Sequence, residues 1–416
     1  MLSGFIPVPA VIPPTDWFQD NMEIIHMPVV LLHKARMVSP GVLGIDAEAG
    51  FFHGDSQEES RYVELRATIN GRCIEEKIPV TDITRPGEIS RLEWPHVRRL
   101  KIDLEKLGVS RFSEDQSFEL TAVASSRTSG HSKESTIEVK IPLPLIVLHG
   151  YIIKEWWEDK SYWRPYYELQ GFLKTNGYED TPSSYRTLWG QPDIRYSPQD
   201  ATPADILGEM DMWINKAQEN TYAEKVNIIG VSLGGLIGRY YITEHNASKV
   251  CKLIMVSTPN EGSSLFEGFF IKSAKSRAEA QAFLLNSERK ENLSNWLFPT
   301  YQSLYTLDGK KSPHPFENLF HKNGYDKPAP PGVHYYSIFS TGRESPYELY
   351  VEEAGDWYRL IGDKKKGLGD GSSILKTYKT FGCNTLVRTK THHAFLLGDP
   401  AVQSAILKFL ATQPEV

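Results

Sequence analysis

Residues 225–241 read KVNIIGVSLGGLIGRYY, and this stretch decides the fold. Its apolar run VNII predicts a buried strand, and the residues after the glycines predict a helix. Between them lies a tight turn with Ser232 at its tip, in the pattern G-x-S-x-G. A side chain on Gly230 or Gly234 would crowd the strand against the helix, so glycine at both positions permits the sharp turn. The pattern indicates a serine nucleophile, with the amide of Leu233 directed at any oxyanion that forms beside it.

The composition is that of an ordinary globular protein, with 416 residues, of which 40% are hydrophobic and 24% are charged. This length is too great for one compact core and predicts two domains. The formal net charge of −6 gives no electrostatic basis for nucleic-acid binding. Tryptophan and tyrosine crowd residues 151–196, which indicates either internal packing or a surface that faces lipid or sugar.

The cysteines and the N-terminus bear on the compartment. Cys73, Cys251 and Cys383 lie far apart, so the sequence indicates neither a zinc site nor a disulfide framework. Cys251 opens an apolar run, which predicts a buried thiol. No apolar stretch reaches the length of about 18 residues that a transmembrane helix needs. The N-terminal sequence MLSGFIPVPAVIPP has no basic region and is interrupted by prolines, so it is unlike a signal peptide. The compartment stays open, with the cytoplasm favoured.

The first 141 residues predict a region of a different class from the rest. Residues 1–26 are proline-rich and predict an extended arm. Residues 27–141 contain short segments in which apolar and polar residues alternate, for example 62–69 and 118–122. Such alternation, with turns between the segments, predicts a β-rich accessory domain that resembles an antiparallel sandwich. No combination of its residues indicates a catalytic site.

Residues 142–416 predict a catalytic domain with a doubly wound, mostly parallel sheet. Continuous apolar runs indicate strands that are buried on both faces. Strands are predicted at residues 145–148, 226–229, 253–256, 335–339 and 384–387, and helices at residues 165–175, 203–219 and 401–410. This alternation of strands and helices implies a parallel sheet with helices on both faces.

The alternation breaks between residues 258 and 332, and about residues 262–332 are predicted to form a lid insertion. The first part, residues 265–286, is rich in phenylalanine and leucine. These side chains indicate either an apolar flap that opens at a lipid surface or plain burial against the catalytic domain.

A serine nucleophile needs a histidine base that a carboxylate holds in the right tautomer. Along such chains the order is serine, carboxylate, histidine. His392 and His393 lie in a loop between the last predicted strand and the closing helix, where the base is expected. Asp370 lies before them in the turn GLGDGSS, whose glycines let a carboxylate project. Asp399 follows both histidines and is predicted to cap the closing helix.

The second oxyanion donor is predicted in the loop after the first strand of the catalytic domain. That strand ends in His149-Gly150-Tyr151. Gly150 permits a turn, and the amide of Tyr151 would point into the site beside the amide of Leu233. His149 is interpreted as a structural histidine that bonds to loop backbone, and not as the base.

Five segments together resemble those of a known group of enzymes. They are LHGY at 148–151, GVSLGG at 230–235, STPNEGS at 257–263, GDG at 369–371 and HAFLLGDP at 393–400. Their order is similar to that in α/β-hydrolase lipases, most of all relatives of lecithin:cholesterol acyltransferase, and more loosely GPI inositol-deacylases and bacterial triacylglycerol lipases. The resemblance covers about residues 145–411 and leaves out the β-rich region.

This resemblance implies an α/β-hydrolase fold with a lid insertion. It also implies a catalytic triad of Ser232, Asp370 and His393, and an oxyanion hole formed by the amides of Tyr151 and Leu233. His393, rather than His392, matches the family pattern by its spacing to the apolar pair Leu396 and Leu397.

The expected activity is that of a serine carboxylic-ester hydrolase, which cleaves lipid or other acyl esters through an acyl-enzyme on Ser232. No cofactor and no metal ion are expected. An acyltransferase that uses an alcohol acceptor is an alternative, and a non-catalytic binding protein on the same fold is another. The expected partners are an acyl-ester or lipid substrate and a membrane or lipid surface that the lid contacts, without nucleic acid. The sequence indicates neither acyl length, head group nor oligomeric state.

Overall fold

The computed structural model describes residues 29–50, 61–69, 72–79, 97–126, 132–151, 160–178, 202–266, 293–312, 317–354, 357–372 and 382–412. The chain divides into two compact units. The N-terminal unit is drawn from Met1–Ser110 and Gln116–Ile141, and the C-terminal unit from Arg111–Asp115 and Pro142–Val416. The predicted arm at residues 1–26 lies outside the described residues.

The N-terminal unit contains two antiparallel sheets, as its alternating sequence predicts. Its strands are β1 (Val29–Ser39), β2 (Val42–Gly50), β3 (Arg61–Ile69), β4 (Arg72–Pro79), β5 (Val97–Asp103), β6 (Gln116–Ser126) and β7 (Ser132–Ile141). One sheet has the order β1-β2-β5 and the other β4-β3-β6-β7. In β3, Leu65 and Ala67 are buried whereas Arg66 and Thr68 are exposed. This is the pattern of a sheet with one face in a core.

The C-terminal unit is built on a five-stranded parallel sheet. Its strands are β8 (Leu145–Leu148), β9 (Val226–Val231), β10 (Val250–Val256), β11 (Leu304–Tyr305), β12 (His334–Ser340), β13 (Arg343–Ala354), β14 (Trp357–Gly369) and β15 (Cys383–Val387). Its helices are α1 (Lys160–Thr175), α2 (Pro203–Thr221), α3 (Leu233–Glu244), α4 (Leu319–Lys322) and α5 (Pro400–Ala411). The order in the sheet is β15-β12-β10-β9-β8, and all neighbouring strands are parallel.

Burial explains the continuous apolar runs of this sheet. Every residue of β9 and β10 is buried. Successive side chains point to opposite faces, so Ile228 packs in a core cluster with α2 and α3, whereas Ile229 packs in a second cluster with α1 and α5. The sheet is therefore covered by helices on both faces, as the sequence predicts.

The helix boundaries follow local signals in one case and depart from them in another. Thr202 caps α2 and forms a capping box with Asp205, and a proline opens the first turn, so α2 begins at Pro203 as predicted. The start of α1 was predicted at Pro165, but the helix begins at Lys160 and Pro165 lies inside it. The helix therefore starts five residues earlier than predicted, and the proline removes one hydrogen bond from the helix interior.

A long hairpin of β13 and β14 is absent from the sequence prediction. The two strands pair in an antiparallel register from Arg343↔Gly369 to Ala354↔Trp357, and β11 lies parallel to β13. Runs such as residues 363–366, which read DKKK, give no apolar alternation, so the strand signal is weak. The hairpin matters for the site because β14 ends at Gly369, directly before Asp370.

The described part of the predicted lid, residues 262–266, 293–312 and 317–332, contains several fully buried aromatic side chains. Trp296, Phe298 and Phe320 are at most 1% exposed, and two of them join the core cluster that contains Ile228. Residues 267–292, which hold most of the predicted flap, lie outside the described residues. The flap therefore stays a prediction. Within the described residues, no helix has the length and apolar character needed to cross a membrane.

A five-residue segment of the C-terminal unit, Arg111–Asp115, lies in sequence between strands β5 and β6 of the N-terminal unit. Glu224 donates its amide to the carbonyl of Phe112 at 2.8 Å. Asp115 accepts from the amide of Leu143 at 2.7 Å and from Nζ of Lys252 at 2.9 Å. Lys252 is only 2% exposed, so Asp115 neutralises a buried charge.

Candidate active site

The serine turn joins β9 to α3, where the sequence predicts it. Ser232 has φ 51° and ψ −119°, a conformation of a kind that costs an ordinary residue about 1–3 kcal/mol. A Cβ on Gly230 would lie 2.6 Å from the Cα of Gly235, and a Cβ on Gly234 would lie 2.4 Å from the carbonyl oxygen of Leu148. Backbone atoms cannot give way at such distances, so the close approach of strand, turn and helix requires glycine at both positions.

Backbone hydrogen bonds hold this turn in place. The amide of Ser232 donates to the carbonyl of Val256 on the neighbouring strand at 2.9 Å, and the amide of Gly235 donates to the carbonyl of Ser232 at 3.0 Å. Leu233 is the first residue of α3, so its amide has no acceptor within the helix and lies at the positive end of the helix dipole. This position suits an amide that stabilises an oxyanion.

An acid–histidine pair is formed by two residues that the sequence analysis selected. Nδ1 of His393 donates to Oδ2 of Asp370 at 2.6 Å, and the amide of His393 donates to the carbonyl of Asp370 at 3.0 Å. Asp370 is fully buried, and its other carboxylate oxygen accepts from the amide of Ser372 at 2.9 Å. Because Nδ1 donates to the carboxylate, the neutral His393 carries its lone pair on Nε2, as a general base requires.

The charge of Asp370 governs the titration of His393. Burial lowers the pKa of His393, but the negative charge of Asp370 and its hydrogen bond to Nδ1 raise it by more, so the pKa lies above its ordinary value. The pair is thus arranged to stabilise the imidazolium that forms when a base accepts a proton.

His392, the neighbouring candidate, has a different environment. Its Nδ1 accepts from the amide of Ala394 at 3.4 Å. Burial has the largest effect on its pKa, and the charges of His393 and Arg343 add to it, so the pKa of His392 lies below the ordinary value. The hydrogen bond to Asp370 therefore distinguishes His393 from His392.

Asp399 anchors the loop that carries both histidines. One of its carboxylate oxygens accepts from the amide of Ala401 at 2.9 Å and caps α5, as the sequence predicts. The other accepts from the hydroxyls of Thr389 and Thr391. Both ends of the histidine loop are thereby tied to one carboxylate.

The loop after β8 lies beside the serine. A Cβ on Gly150 would lie 3.1 Å from the Cβ of Ser232, so the backbone before Tyr151 passes directly next to the nucleophile candidate. His149 donates from Nδ1 to the carbonyl of Gly150 at 2.7 Å and is 4% exposed, in keeping with its interpretation as a structural histidine.

Two tyrosines of α1 that the sequence analysis missed hold this loop. The amide of Gly150 donates to the hydroxyl of Tyr166 at 3.4 Å, and the hydroxyl of Tyr162 donates to the carbonyl of Tyr151 at 3.5 Å. Burial raises the pKa of Tyr166 to about 12, although the bonds from Gly150 and Tyr162 act against it, so the phenol stays protonated. The crowding of tyrosine after residue 151 was the available signal, but it did not single out these two positions.

A cavity of about 530 Å³ brings the candidates together. Ser232, His393, Gly150 and Tyr151 line it, whereas Asp370 lies behind His393. The remaining wall is formed by apolar and hydroxyl side chains, namely Val231, Pro259, Leu265, Phe266, Leu297, Ala394, Phe395, Ser161, Tyr162, Tyr166, Ser263, Ser372 and by His392. A largely apolar wall beside a serine, a histidine and backbone amides suits an acyl group with one polar reacting centre.

One group of side chains in the described part of the chain could share a cation. Ligand atoms of Glu261, His321 and Asp326 lie within 4.8 Å of one another. However, the buried guanidinium of Arg239 donates to Asp326, and Nε2 of His321 donates to the carbonyl of Asn260 at 2.6 Å. The arrangement is that of an ion-pair network around α3, and we assign no metal to it.

Three features define the fold class of the C-terminal unit: the parallel sheet, the strained serine between β9 and α3, and the acid–histidine pair that follows this serine in the sequence. The C-terminal unit has the α/β-hydrolase fold.

One comparison with known proteins gives a family match within the C-terminal unit. Residues 144–303 match the palmitoyl protein thioesterase family. The matched part contains Ser232 and the loop at Tyr151, whereas Asp370 and His393 lie beyond it. A comparison with curated proteins gives no significant match.

Several solved structures are similar to the chain. The lipase BlEst2 of Bacillus licheniformis, in its mature form, is 15% identical with a TM-score of 0.37, over 65% of this chain and 92% of the lipase. Naproxen esterase of Bacillus subtilis is 12% identical with a TM-score of 0.28, over 72% and 90% of the two chains. An esterase from Rhodococcus is 13% identical with a TM-score of 0.30, over 71% and 95%. The more specific resemblance to relatives of lecithin:cholesterol acyltransferase stays a prediction.

Proposed function

We propose that the protein is a serine hydrolase that cleaves acyl esters or thioesters through an acyl-enzyme on Ser232. The observation that carries the proposal is the hydrogen bond between His393 and the buried Asp370, in a pair that opens onto the same cavity as the strained Ser232. A serine in an ordinary glycine-rich turn has no need of such a pair.

The proposed reaction has two steps. In the first, Nε2 of His393 accepts the proton of the Ser232 hydroxyl as its oxygen attacks the acyl carbonyl, and the amides of Tyr151 and Leu233 stabilise the oxyanion. The imidazolium, stabilised by Asp370, then donates that proton to the departing alkoxide or thiolate. In the second step, His393 accepts a proton from water, which attacks the acyl-enzyme, and returns the proton to Ser232.

The substrate class has two candidates. Ester hydrolysis is supported by the site, because the apolar wall of the cavity suits an acyl chain and the proposed mechanism accepts an alkoxide as the leaving group. Thioester hydrolysis is favoured by one further observation, the match of residues 144–303 to the palmitoyl protein thioesterase family. We therefore include long-chain acyl thioesters in the proposal. Contact with a lipid surface stays a separate proposal, supported by exposed Leu265 and Phe395 at the cavity wall.

A labelling experiment and a substrate panel test the function. We expect a fluorophosphonate to label the protein on Ser232, and Ser232→Ala to abolish labelling while lowering kcat about 10⁴–10⁶-fold. Matched oxygen and thiol esters of increasing acyl length then separate the two candidates. Product analysis with an added alcohol would reveal acyl transfer. If Ser232→Ala hydrolyses esters at the wild-type rate, the proposal is wrong, and a wild-type protein that does not label points to a binding protein.

A further inference from the structure

The proposed mechanism uses one of two adjacent histidines, but both line the cavity. His392 is partly buried and, among the described residues, makes one side-chain hydrogen bond, through Nδ1 to the amide of Ala394. It precedes the proposed base by one residue. Its side chain is therefore available to a bound substrate in a way that the side chain of Asp370 is not.

The contacts of His392 select its tautomer. Nδ1 accepts a hydrogen bond, so in the neutral ring the proton is on Nε2. Burial and the positive charges nearby disfavour the cationic ring. The ring also lies against Gly371, where φ is +95° and a Cβ would come within 2.9 Å of Cδ2 and 3.2 Å of Nε2 of His392, so the absence of a side chain at Gly371 keeps this edge of the ring uncovered. The surroundings thus fix the ring and leave Nε2–H as a donor.

The position of His392 indicates which part of a substrate it meets. A base that takes the proton of a serine and gives it to the leaving group must lie between these two oxygens. The oxyanion amides of Tyr151 and Leu233 come from other loops, so the loop of His393 borders the leaving group. Arg343 lies beside the same loop, with Nε bonded to the carbonyl of Lys390 at 2.6 Å, and adds positive potential there.

We propose, on the basis of the function proposed above, that His392 is a specificity residue whose Nε2–H binds an oxygen acceptor on the alcohol or thiol part of the substrate. The site then favours leaving groups that carry an acceptor, and most of all an anionic one such as a phosphate or carboxylate, over plain alkyl groups. An alkyl leaving group would leave this donor without an acceptor when the substrate excludes water.

Three decanoyl esters with different alcohols test this inference: the butyl, the 2-methoxyethyl and the 2-phosphoethyl ester. His392→Phe keeps a ring of similar size but removes the donor. We expect it to lower kcat/KM about 10- to 100-fold for the phosphate ester and about 3-fold for the methoxy ester. For the butyl ester we expect a rise of a few-fold, because the variant has no donor that this leaving group would leave without an acceptor. His392→Gln, whose amide can still donate, should recover part of the loss.

A matched control and a folding measurement make the result decisive. His334→Phe changes another histidine of the C-terminal unit and should affect no ester selectively. If His392→Phe folds, labels with fluorophosphonate and loses activity equally on all three esters, or loses none on the phosphate and methoxy esters, the inference is wrong while the proposed function stands. A wild-type protein that neither labels nor hydrolyses any of the esters overturns both.

Discussion

At the scale of single residues, the candidate site depends on backbone that few residues tolerate. The backbone of Ser232 is strained, and the backbone of Leu148 occupies the space that a side chain on Gly234 would need. The strain is held by hydrogen bonds to the neighbouring strand and by the packing of α3. Stored strain of this kind keeps a serine hydroxyl at the tip of a turn instead of letting the turn relax into ordinary helix.

We expect Gly234→Ala to lower both activity and thermal stability, because the added Cβ would lie 2.4 Å from the Leu148 carbonyl. The displaced turn should reduce kcat by at least about 100-fold, since a shift of about 1 Å at a reacting group has that effect. Gly171→Ala in α1 is the matched control, because a Cβ there meets nothing within 4 Å. It should stabilise the protein by up to about 1 kcal/mol and leave kcat unchanged. Equal behaviour of the two variants in melting and rate measurements would contradict this account.

The Asp370–His393 pair predicts a specific pH dependence. Neutral His393 is the active form, so kcat/KM should fall as the pH drops through its pKa, which Asp370 holds above the ordinary value. Asp370→Asn removes the charge that raises this pKa, so the acid limb should move to lower pH while the plateau falls about 10⁴-fold. The measurement is kcat/KM between about pH 5 and pH 9, a range that brackets the ordinary histidine pKa. An acid limb that Asp370→Asn leaves in place would assign the titration to another group.

At the scale of elements, helix α1 supports the oxyanion loop. Tyr166 accepts the amide hydrogen of Gly150, and Tyr162 bonds to the carbonyl of Tyr151. The helix is itself fixed in the core by buried residues such as Leu169. The loop therefore takes its orientation from a helix rather than from its own short sequence.

We expect Tyr166→Phe to lower kcat about 10-fold with little change in KM, because a misaligned oxyanion donor stabilises the transition state less well. Complete removal of such a donor lowers kcat about 10²–10³-fold, so misalignment should have a smaller effect. Binding of a trifluoromethyl ketone should weaken in parallel. Tyr167→Phe, at the next position of α1 and 46% exposed, is the control and should change neither quantity. A rise in KM alone would show that Tyr166 acts in substrate binding and not on the oxyanion loop.

The elements that the sequence predicts well are those in which burial and local signals agree. The residues of β9 and β10 are buried on both faces, so their apolar runs are continuous, and α2 has a cap, a proline and an apolar face. The β13–β14 hairpin has no comparable signal, because charged residues follow one another along it. The fold class and the motifs could thus be read from the sequence, whereas the hairpin that leads to Asp370 could not.

The candidate site shows the same division. Ser232 lies in a recognisable motif and the two histidines lie in the loop where the base is expected, so all three could be selected from the sequence. The choice between His392 and His393 depended on the resemblance to a known family. Tyr162 and Tyr166 act through hydroxyls that reach a loop from a neighbouring helix. No local pattern encodes such a contact, since it depends on how two elements pack.

At the scale of the whole molecule, a carboxylate from the segment Arg111–Asp115 neutralises a lysine inside the C-terminal unit. Asp115→Ala should destabilise the unit by about 3 kcal/mol, because it leaves the buried Lys252 without its counter-ion. Asp115→Leu combined with Lys252→Met should recover most of the loss. Arg164→Ala breaks the exposed pair with Glu168 and should change stability by less than about 1 kcal/mol. Chemical denaturation measures all of these, and a near-neutral Asp115→Ala would show that water reaches Lys252.

The same segment determines how the two units can be inherited. The chain passes from one unit to the other at three points, after Ser110, Asp115 and Ile141. A gene fusion or deletion with a single junction would therefore either cut through one of the units or separate Asp115 from Lys252. Exchange of the β-rich unit between genes requires that a short internal stretch stay behind. We therefore expect the two units to be inherited together and not to be exchanged separately between proteins.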